Sequence, residues 1–187
     1  MKSYEEVEVL TRQDWRDWLA IHHQQTDSIW LISHKKHTAH YLSYDAIVEE
    51  SLCYGWIDSL PRKLDAERTM LLISPRKKKS VWSKLNKTRV KTLIEQGLMQ
   101  PAGLAKIVRA NSVGSWTFFD FVEALIVPDD LAAALADNLK AQQYFAAFSP
   151  SAKKGILQWI KMAKRESTRQ QRIEKTVTLA AQNIKSR

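Results

Sequence analysis

Residues 43–58 have the sequence SYDAIVEESLCYGWID, and this stretch decides the predicted fold class. The Ser-Tyr pair at its start suits the beginning of a helix, and apolar residues at helical spacing continue to Leu52. Gly55 is well placed to end that helix, because glycine readily adopts the left-handed conformation found at helix C-termini. The strand formers at positions 56–57 follow at once. A helix and a strand are therefore predicted next to each other in the chain.

The segments around this stretch predict one more helix and two more strands. Thr11 is a good N-cap residue, and Asp14 follows three positions later, which is the spacing of a capping box. Residues 28–33 (SIWLIS) and residues 69–73 (TMLLI) are short apolar runs with β-branched members, as is typical of buried strands. We therefore expect an α+β fold, with a small mixed sheet and covering helices in the N-terminal half.

The pattern after the last predicted strand is helical throughout. Ser80 suits an N-cap, and apolar residues then recur at helical spacing until Gly97. Pro101 suits the first position of the next helix, and further amphipathic segments follow. We expect an α+β region with a basic loop–helix motif over residues 1–97 and an all-helical region over residues 98–187, packed together as one compact unit.

The net positive charge of the chain is concentrated in residues 61–91. This segment contains eleven Lys or Arg and two acidic residues, so it accounts for the net charge of +9 of the whole protein. A local positive field raises the concentration of negatively charged ligands around it. The sequence therefore predicts an anionic partner. The eleven cations are Arg62, Lys63, Arg68, Arg76, Lys77, Lys78, Lys79, Lys84, Lys87, Arg89 and Lys91.

The composition excludes several classes of protein. The single cysteine, Cys53, rules out an internal disulfide and a cysteine-based zinc site. Apolar runs are far shorter than the ~20 residues that span a bilayer, so we expect no membrane insertion. The N-terminal segment is acidic and has no apolar signal core. These features predict a cytoplasmic protein, and we expect neither a metal nor a cofactor.

The centre of the basic segment, PRKKKSVWSKLN at residues 75–86, is the candidate ligand-binding site. If Ser80 caps a helix, the free N–H groups of the first turn and the cations just before it form an anion site. An arginine can bind a carboxylate or phosphate through two parallel hydrogen bonds, and a tryptophan can stack on a ring. The predicted ligand is an anionic small molecule or an acidic protein segment. The candidate binding residues are Arg76, Lys79, Ser80, Trp82, Ser83 and Asn86, with Asp58 and Lys35 beside them.

Two other functions fit the same residues. Lys84, Lys87 and Lys91 recur along one helical face and could follow a phosphate backbone, which makes sequence-independent nucleic-acid binding the alternative. An enzyme that uses Asp58 or Glu49 as a base is the third hypothesis. No nucleophile–base pair can be assigned from the sequence, so a non-catalytic protein is favoured.

Four motifs occur in an order that resembles a known family. They are CYGWID at residues 53–58, SPRKKKSVWSKLN at residues 74–86, QPAGL at residues 100–104 and FSPSAKKGILQWIKMAK…TRQQRI at residues 148–173. In this order they resemble the YdeI/OmpD-associated family, also described as bacteriocin-protection proteins.

The resemblance implies a soluble bacterial protein linked to stress or bacteriocin tolerance, and it supplies no reaction, cofactor or catalytic residue. The sequence departs from the family pattern at three positions, which are Lys78 in place of proline, Gln100 in place of threonine and Ser167 in place of glutamate. The first departure adds a cation to the basic segment, and the other two alter helix starts.

Overall fold

The computed structural model describes residues 4–185, and the chain divides into two compact units between Thr117 and Phe118. The first unit contains a four-stranded sheet with four helices, and the second contains helices. The α+β class is therefore confirmed. Within residues 4–185, no helix is both long and apolar enough to cross a membrane.

The sheet of the first unit has the strand order β1-β2-β4-β3. Strand β1 runs parallel to β2, whereas the other two pairings are antiparallel, so the sheet is mixed as expected. The strands are β1 (Glu5–Glu8), β2 (Ile29–His34), β3 (Trp56–Lys63) and β4 (Arg68–Pro75).

The helices of the first unit begin largely where the capping residues predict. The Thr11 side chain accepts a hydrogen bond from the backbone N–H of Asp14, whose carboxylate accepts from the N–H of Thr11, so the capping box is confirmed. The Ser43 hydroxyl caps the second helix by accepting from the backbone N–H of Ala46. Three tryptophans are almost fully buried in the core of this unit. The helices are α1 (Arg12–His22), α2 (Tyr44–Cys53), α3 (Lys84–Glu95) and α4 (Pro101–Ser112).

The second unit is built from helices that pack mainly on the last one. Residues 113–127, whose aromatic-rich pattern is ambiguous between strand and helix, contain only one short helix. The helices are α5 (Asp120–Glu123), α6 (Asp129–Ala136), α7 (Leu139–Ala147), α8 (Pro150–Lys161) and α9 (Glu166–Ala180).

Strand β3 is longer than the short strand predicted at positions 56–57. It extends to Lys63 and has an irregular register between Asp58 and Pro61. Proline has no backbone N–H to donate to a neighbouring strand. Pro61 is tolerated in β3 because this strand lies at the edge of the sheet and has a neighbour on one side only. Arg62 and Lys63 therefore belong to a β-hairpin, and the basic segment is divided among a hairpin, a loop and a helix.

The start of helix α3 differs from the prediction, because Ser83 and not Ser80 is its N-cap. The Ser83 hydroxyl accepts from the backbone N–H of Asn86, 3.2 Å away. Ser80 lies in a turn, where its N–H donates to the carbonyl of Lys77. The predicted helix N-terminus at Ser80 is therefore wrong. Trp82 lies before the helix and is 1% exposed. Because its side chain is buried, the loop residues around it are held outside the helix, which begins only after Ser83.

We expect Ser83→Ala to lower the free energy of unfolding by about 1 kcal/mol, since it removes an N-cap hydrogen bond. The matched change Ser80→Ala should alter stability by no more than about 0.5 kcal/mol, because no helix begins there. Urea unfolding followed by circular dichroism measures both. Equal losses in the two variants would contradict the assignment of Ser83 as the cap.

Candidate functional site

Arg76 follows the last residue of β4 and is buried at the end of the sheet. Its backbone N–H donates to the carbonyl of Gly55, 2.9 Å away, so the chain is held against the turn between α2 and β3. The side chain is only 3% exposed. The guanidinium carbon lies 3.7 Å from the centroid of the Trp82 ring, and Nη1 donates to the carbonyl of Val81 at 3.1 Å. Loop residues 81–82 thus wrap around the arginine.

The guanidinium of Arg76 is only partly satisfied within the part of the chain that the structure describes. Its Nε and Nη2 atoms are buried and have no hydrogen-bond partner there, and neither has the indole Nε1 of Trp82. Buried polar groups nearly always have partners, and a buried charge normally pairs with an opposite charge. The buried cation therefore has two unused donor atoms of its own and a third, the indole Nε1 of Trp82, beside it.

Burial also lowers the pKa of Arg76 to about 10, against the opposing negative charge of Asp58. The guanidinium remains charged at neutral pH, so its environment opposes folding by a net cost on the order of 3 kcal/mol, at about 1.4 kcal/mol per pKa unit. Because the pKa is lower in the folded than in the unfolded protein, this cost is fully present below about pH 10 and declines only above it.

A cavity of about 310 Å³ lies against this arginine. Five of the nine residues that line it are cationic, and no carboxylate is among them. The lining residues are Arg76, Lys77, Lys78, Ser80, Trp82, Lys106, Arg109, Ala110 and Ser115.

Helix α4 contributes two cations of this cavity, Lys106 and Arg109, which lie three residues apart and so share one helical face. Two glycines let α4 approach closely. A Cβ at Gly103 would lie 2.2 Å from the carbonyl oxygen of Cys53, and a Cβ at Gly55 would lie 2.6 Å from Cγ of Lys106. Close packing of α4 on the end of α2 therefore places the cations beside the buried arginine.

Three of the predicted binding residues, Arg76, Ser80 and Trp82, line the cavity together. The sequence prediction did not include Lys106 and Arg109. Their spacing on the helix that begins at Pro101 was the available signal, but only the tertiary packing of that helix connects them with the basic loop.

The other three residues of the predicted motif do not line the cavity. Lys79 is exposed. Ser83 caps α3, and the side-chain oxygen of Asn86 accepts from Nη1 of Arg89 at 3.0 Å. Ser83 and Asn86 therefore organise the start of α3.

Asp58 and Lys35 lie outside the cavity lining as well. Asp58 accepts a 2.6 Å hydrogen bond from the hydroxyl of Tyr44 and acts on Arg76 only through its charge. The Lys35 ammonium donates to the carbonyls of Asp65 and Ala66. Lys35 follows the end of β2 that pairs with the start of β4, whereas Arg76 follows the end of β4. The expectation that Lys35 points toward Arg76 is therefore wrong.

A larger cavity of about 640 Å³ lies among α1, α2 and α3, but the charged side chains that line it already have oppositely charged partners. Glu50 is buried and accepts from Nε of Arg12 and Nη1 of Arg16, both at 2.6 Å. Arg12 also pairs with Glu49 at 2.9 Å. Glu49, one of the two proposed bases, is thus held in an ion pair, and this cavity offers no unpaired charge comparable to Arg76.

Cys53 is completely buried beneath the start of α4. Burial and then the charge of Glu50 raise the pKa of its thiol to about 11. The thiolate is the reactive form, so this thiol is not a nucleophile at neutral pH. Cys53 therefore acts as a small apolar core residue.

The histidines do not assemble a metal site in the described residues. Nε2 of His34 lies 2.9 Å from a carboxylate oxygen of Glu8, and its ring contacts that of His40. Between residues 4 and 185 no group of three potential His, Cys, Asp or Glu ligands comes together.

The predicted basic stripe of α3 is partly used in local contacts. Lys87 lies over the Trp116 ring, and Lys91 lies 4.0 Å from Glu95. Arg68, at the other end of the basic segment, pairs with Asp65 and Glu8. By the usual rise of ~3.3 Å per residue, the eight residues of β4 span about 26 Å. Arg68 and Arg76, at the two ends of β4, are therefore separated by about that length, and several cations of the segment have local partners.

Cations of the second unit also make local contacts. Arg169 binds both carboxylate oxygens of Asp130, at 2.5 and 2.8 Å, and Lys154 pairs with Glu123 at 2.8 Å. Arg172 lies over the Trp159 ring. These cations are therefore engaged in contacts within the second unit.

Two family models match different parts of the chain. Residues 7–106 match a model described as a domain of unknown function, DUF8412. Residues 124–183 match a model described as bacteriocin-protection, YdeI or OmpD-associated, which confirms the family resemblance over that part of the chain. No curated protein and no solved structure matches the chain. The cavity residues up to Lys106 lie within the first match.

Proposed function

We propose that this chain, which belongs to the domain family of unknown function DUF8412, is a non-catalytic binding protein of the bacterial stress or bacteriocin-tolerance type. It holds an anionic small molecule or an acidic peptide segment in the cavity beside Arg76. The observation that carries the proposal is the buried guanidinium with two unused donor atoms, stacked on a tryptophan whose own N–H is also unused.

The energetics favour a ligand with negative charge at this position. An anion that reaches Arg76 would pair with a charge that is already desolvated. Its binding would therefore offset the free energy of desolvation that opposes folding. Hydrogen bonds between ionised groups are shorter and roughly twice as strong as neutral ones. Lys106 and Arg109, which also line the cavity, add positive charge from α4.

The cavity lining supports binding more than catalysis. Among the described residues that line it, none is a carboxylate, an imidazole or a thiol, so Ser80 and Ser115 have none of these groups beside them as a general base. Asp58 and Glu49, the two bases considered from the sequence, are both engaged elsewhere.

Removing the two cations of α4 should weaken anion binding at least tenfold, since hydrogen bonds to charged groups contribute about 1.5–3 kcal/mol each. The test is isothermal titration calorimetry with inorganic phosphate at low ionic strength, comparing wild type with the double variant Lys106→Ser/Arg109→Ser. The matched control Lys84→Ser/Lys91→Ser removes the same charge from α3 and should change affinity less than twofold.

Each result has a definite meaning. Equal weakening in the two double variants would show that a diffuse basic field attracts phosphate, and would contradict the proposed pocket. Absence of phosphate, sulfate and citrate binding in the wild type would also overturn the proposal. Binding of single-stranded DNA that depends on Lys84 and Lys91 would favour the nucleic-acid alternative.

A further inference from the structure

A second cavity adjoins the anion pocket and shares part of its lining. It has a volume of about 650 Å³, and Arg76, Lys77 and Lys106 border both cavities. A ligand whose anionic group reaches Arg76 therefore has room for a larger body next to that group. The remaining residues that line the second cavity are His23, Gln24, Gln25, Thr26, Tyr54, Pro75, Ala102 and Ala105.

The loop of residues 23–26 supplies neutral hydrogen-bonding groups to this second cavity. The indole N–H of Trp56 donates to the carbonyl of His23 at 3.0 Å, which ties the loop to the sheet. Nδ1 of His23 lies 3.1 Å from the carbonyl of Leu19, to which it can donate, and this leaves Nε2 for a ligand. Together with two glutamine amides and a threonine hydroxyl, this loop can both donate and accept hydrogen bonds.

The charge of the combined site favours phosphate over carboxylate. Five cations line the first cavity, three of them also border the second, and neither lining contains an acidic side chain. A phosphate monoester carries about −1.5 to −2 charges at pH 7 and three acceptor oxygens, whereas a carboxylate carries one charge and two oxygens. The phosphate therefore matches both the cationic lining and the unused donors of Arg76 and Trp82.

The aromatic rings of the two linings are already in contact with other groups. The Trp82 ring is covered by Arg76 and contacts Trp116, at 5.0 Å between ring centroids. The Tyr54 ring contacts His23 and Arg16. A nucleobase would need a free ring face for stacking. Amides, a hydroxyl and an imidazole instead suit a body that carries several hydroxyl groups.

We infer that the ligand is a sugar phosphate, with its phosphate between Arg76, Lys106 and Arg109 and its hydroxyl groups in the second cavity. This inference rests on the proposed anion pocket and narrows its ligand to one chemical class. Gln25 and His23 are the residues that would recognise the hydroxylated body.

Calorimetry on the full chain with D-ribose 5-phosphate, inorganic phosphate and D-ribose tests the inference. We expect ribose 5-phosphate to bind at least ten times more tightly than inorganic phosphate, and ribose not to bind. Ala105→Trp, which fills the second cavity from an exposed position on α4, should reduce the affinity for ribose 5-phosphate to that for phosphate. Val108→Trp, on the same helix but outside both linings, should bind as wild type does.

The outcomes separate this inference from the proposed function. If phosphate binds and ribose 5-phosphate binds no more tightly, the sugar phosphate is excluded while the anion pocket stands. If neither binds, both proposals fall. Gln25→Ala provides a second test that leaves α4 unaltered, and it should weaken ribose 5-phosphate about fivefold with no change for inorganic phosphate. An equal loss for both probes would contradict recognition of the sugar.

Discussion

Arg76→Met is expected to abolish phosphate binding without destabilising the unliganded protein. The methionine keeps the length and apolar character of the side chain, so it can remain packed on Trp82. It removes the buried charge, whose desolvation lowers the pKa of Arg76 and opposes folding at neutral pH. Removing the charge therefore favours folding, and the lost hydrogen bond to Val81 and the lost cation–π contact offset part of this gain in stability. We therefore expect the free energy of unfolding to stay equal or rise by about 1–2 kcal/mol.

This combination of effects distinguishes a ligand-binding arginine from a structural one. Breaking a structural buried ion pair typically costs about 3–5 kcal/mol, because it leaves the partner charge uncompensated. Within residues 4–185 Arg76 donates to no carboxylate, and Asp58 acts on it only through its charge while its carboxylate accepts from Tyr44. If Arg76→Met lowers stability by several kcal/mol, the arginine is a structural element and the pocket hypothesis loses its main support.

The measurement is urea unfolding with and without phosphate, in parallel with calorimetry. A ligand that binds only the folded state raises its stability by about 2.7 kcal/mol when present at 100 times its Kd. This increment should appear in wild type and in the matched control Lys79→Met, whose exposed side chain lies outside the cavity lining. It should be absent in Arg76→Met. Arg76→Lys keeps the positive charge but loses the paired N–H donors of the guanidinium. Its affinity for phosphate should therefore lie between those of wild type and Arg76→Met.

Features set by short stretches of sequence were predictable. The caps at Thr11 and Ser43 depend on hydrogen bonds within four residues, and the glycine at position 55 has the positive φ of +77° that its role at the end of α2 requires. The run predicted at residues 28–33 forms strand β2, one residue later at each end, because an apolar run of that length is a local signal. Local chemistry thus determines the elements and much of their boundaries.

The choice between Ser80 and Ser83 illustrates the limit of local signals. Both serines precede apolar residues at helical spacing, so both satisfy the sequence rule for an N-cap. The burial of Trp82 against Arg76 decides between them, because it holds the loop out of the helix. That burial depends on the contact of Arg76 with Gly55, some twenty residues away in the chain.

The position of Lys35 depends in the same way on strand pairing. Its attachment to strand β2 was predictable, but the direction in which β4 runs beside β2 was not. Antiparallel pairing places His34 opposite Arg68, so Lys35 lies at the end of the sheet away from Arg76. The two cations of α4 were missed for a related reason, since the docking of that helix depends on a glycine contact between distant segments.

Gly103→Ala is expected to destabilise the protein by about 3 kcal/mol or more and to weaken phosphate binding as well. A methyl group at this position would lie 2.2 Å from the carbonyl oxygen of Cys53 and 2.7 Å from that of Leu52. These are backbone atoms at the end of α2, so they cannot move aside as a flexible side chain would. Overpacking of a rigid contact normally lowers the free energy of unfolding by about 1–3 kcal/mol. A backbone clash this close should lower it by about 3 kcal/mol or more.

The clash can be relieved only if α4 moves away from α2, which would also move Lys106 and Arg109 relative to Arg76. Gly155→Ala is the matched control, because Gly155 also lies in a helix but a Cβ there meets no atom within 4 Å. That control should gain about 0.5–1 kcal/mol, since alanine is the better helix former. Thermal and urea unfolding measure both variants, and calorimetry with phosphate measures the pocket. If Gly103→Ala is as stable as wild type and still binds phosphate, close docking of α4 does not form the site.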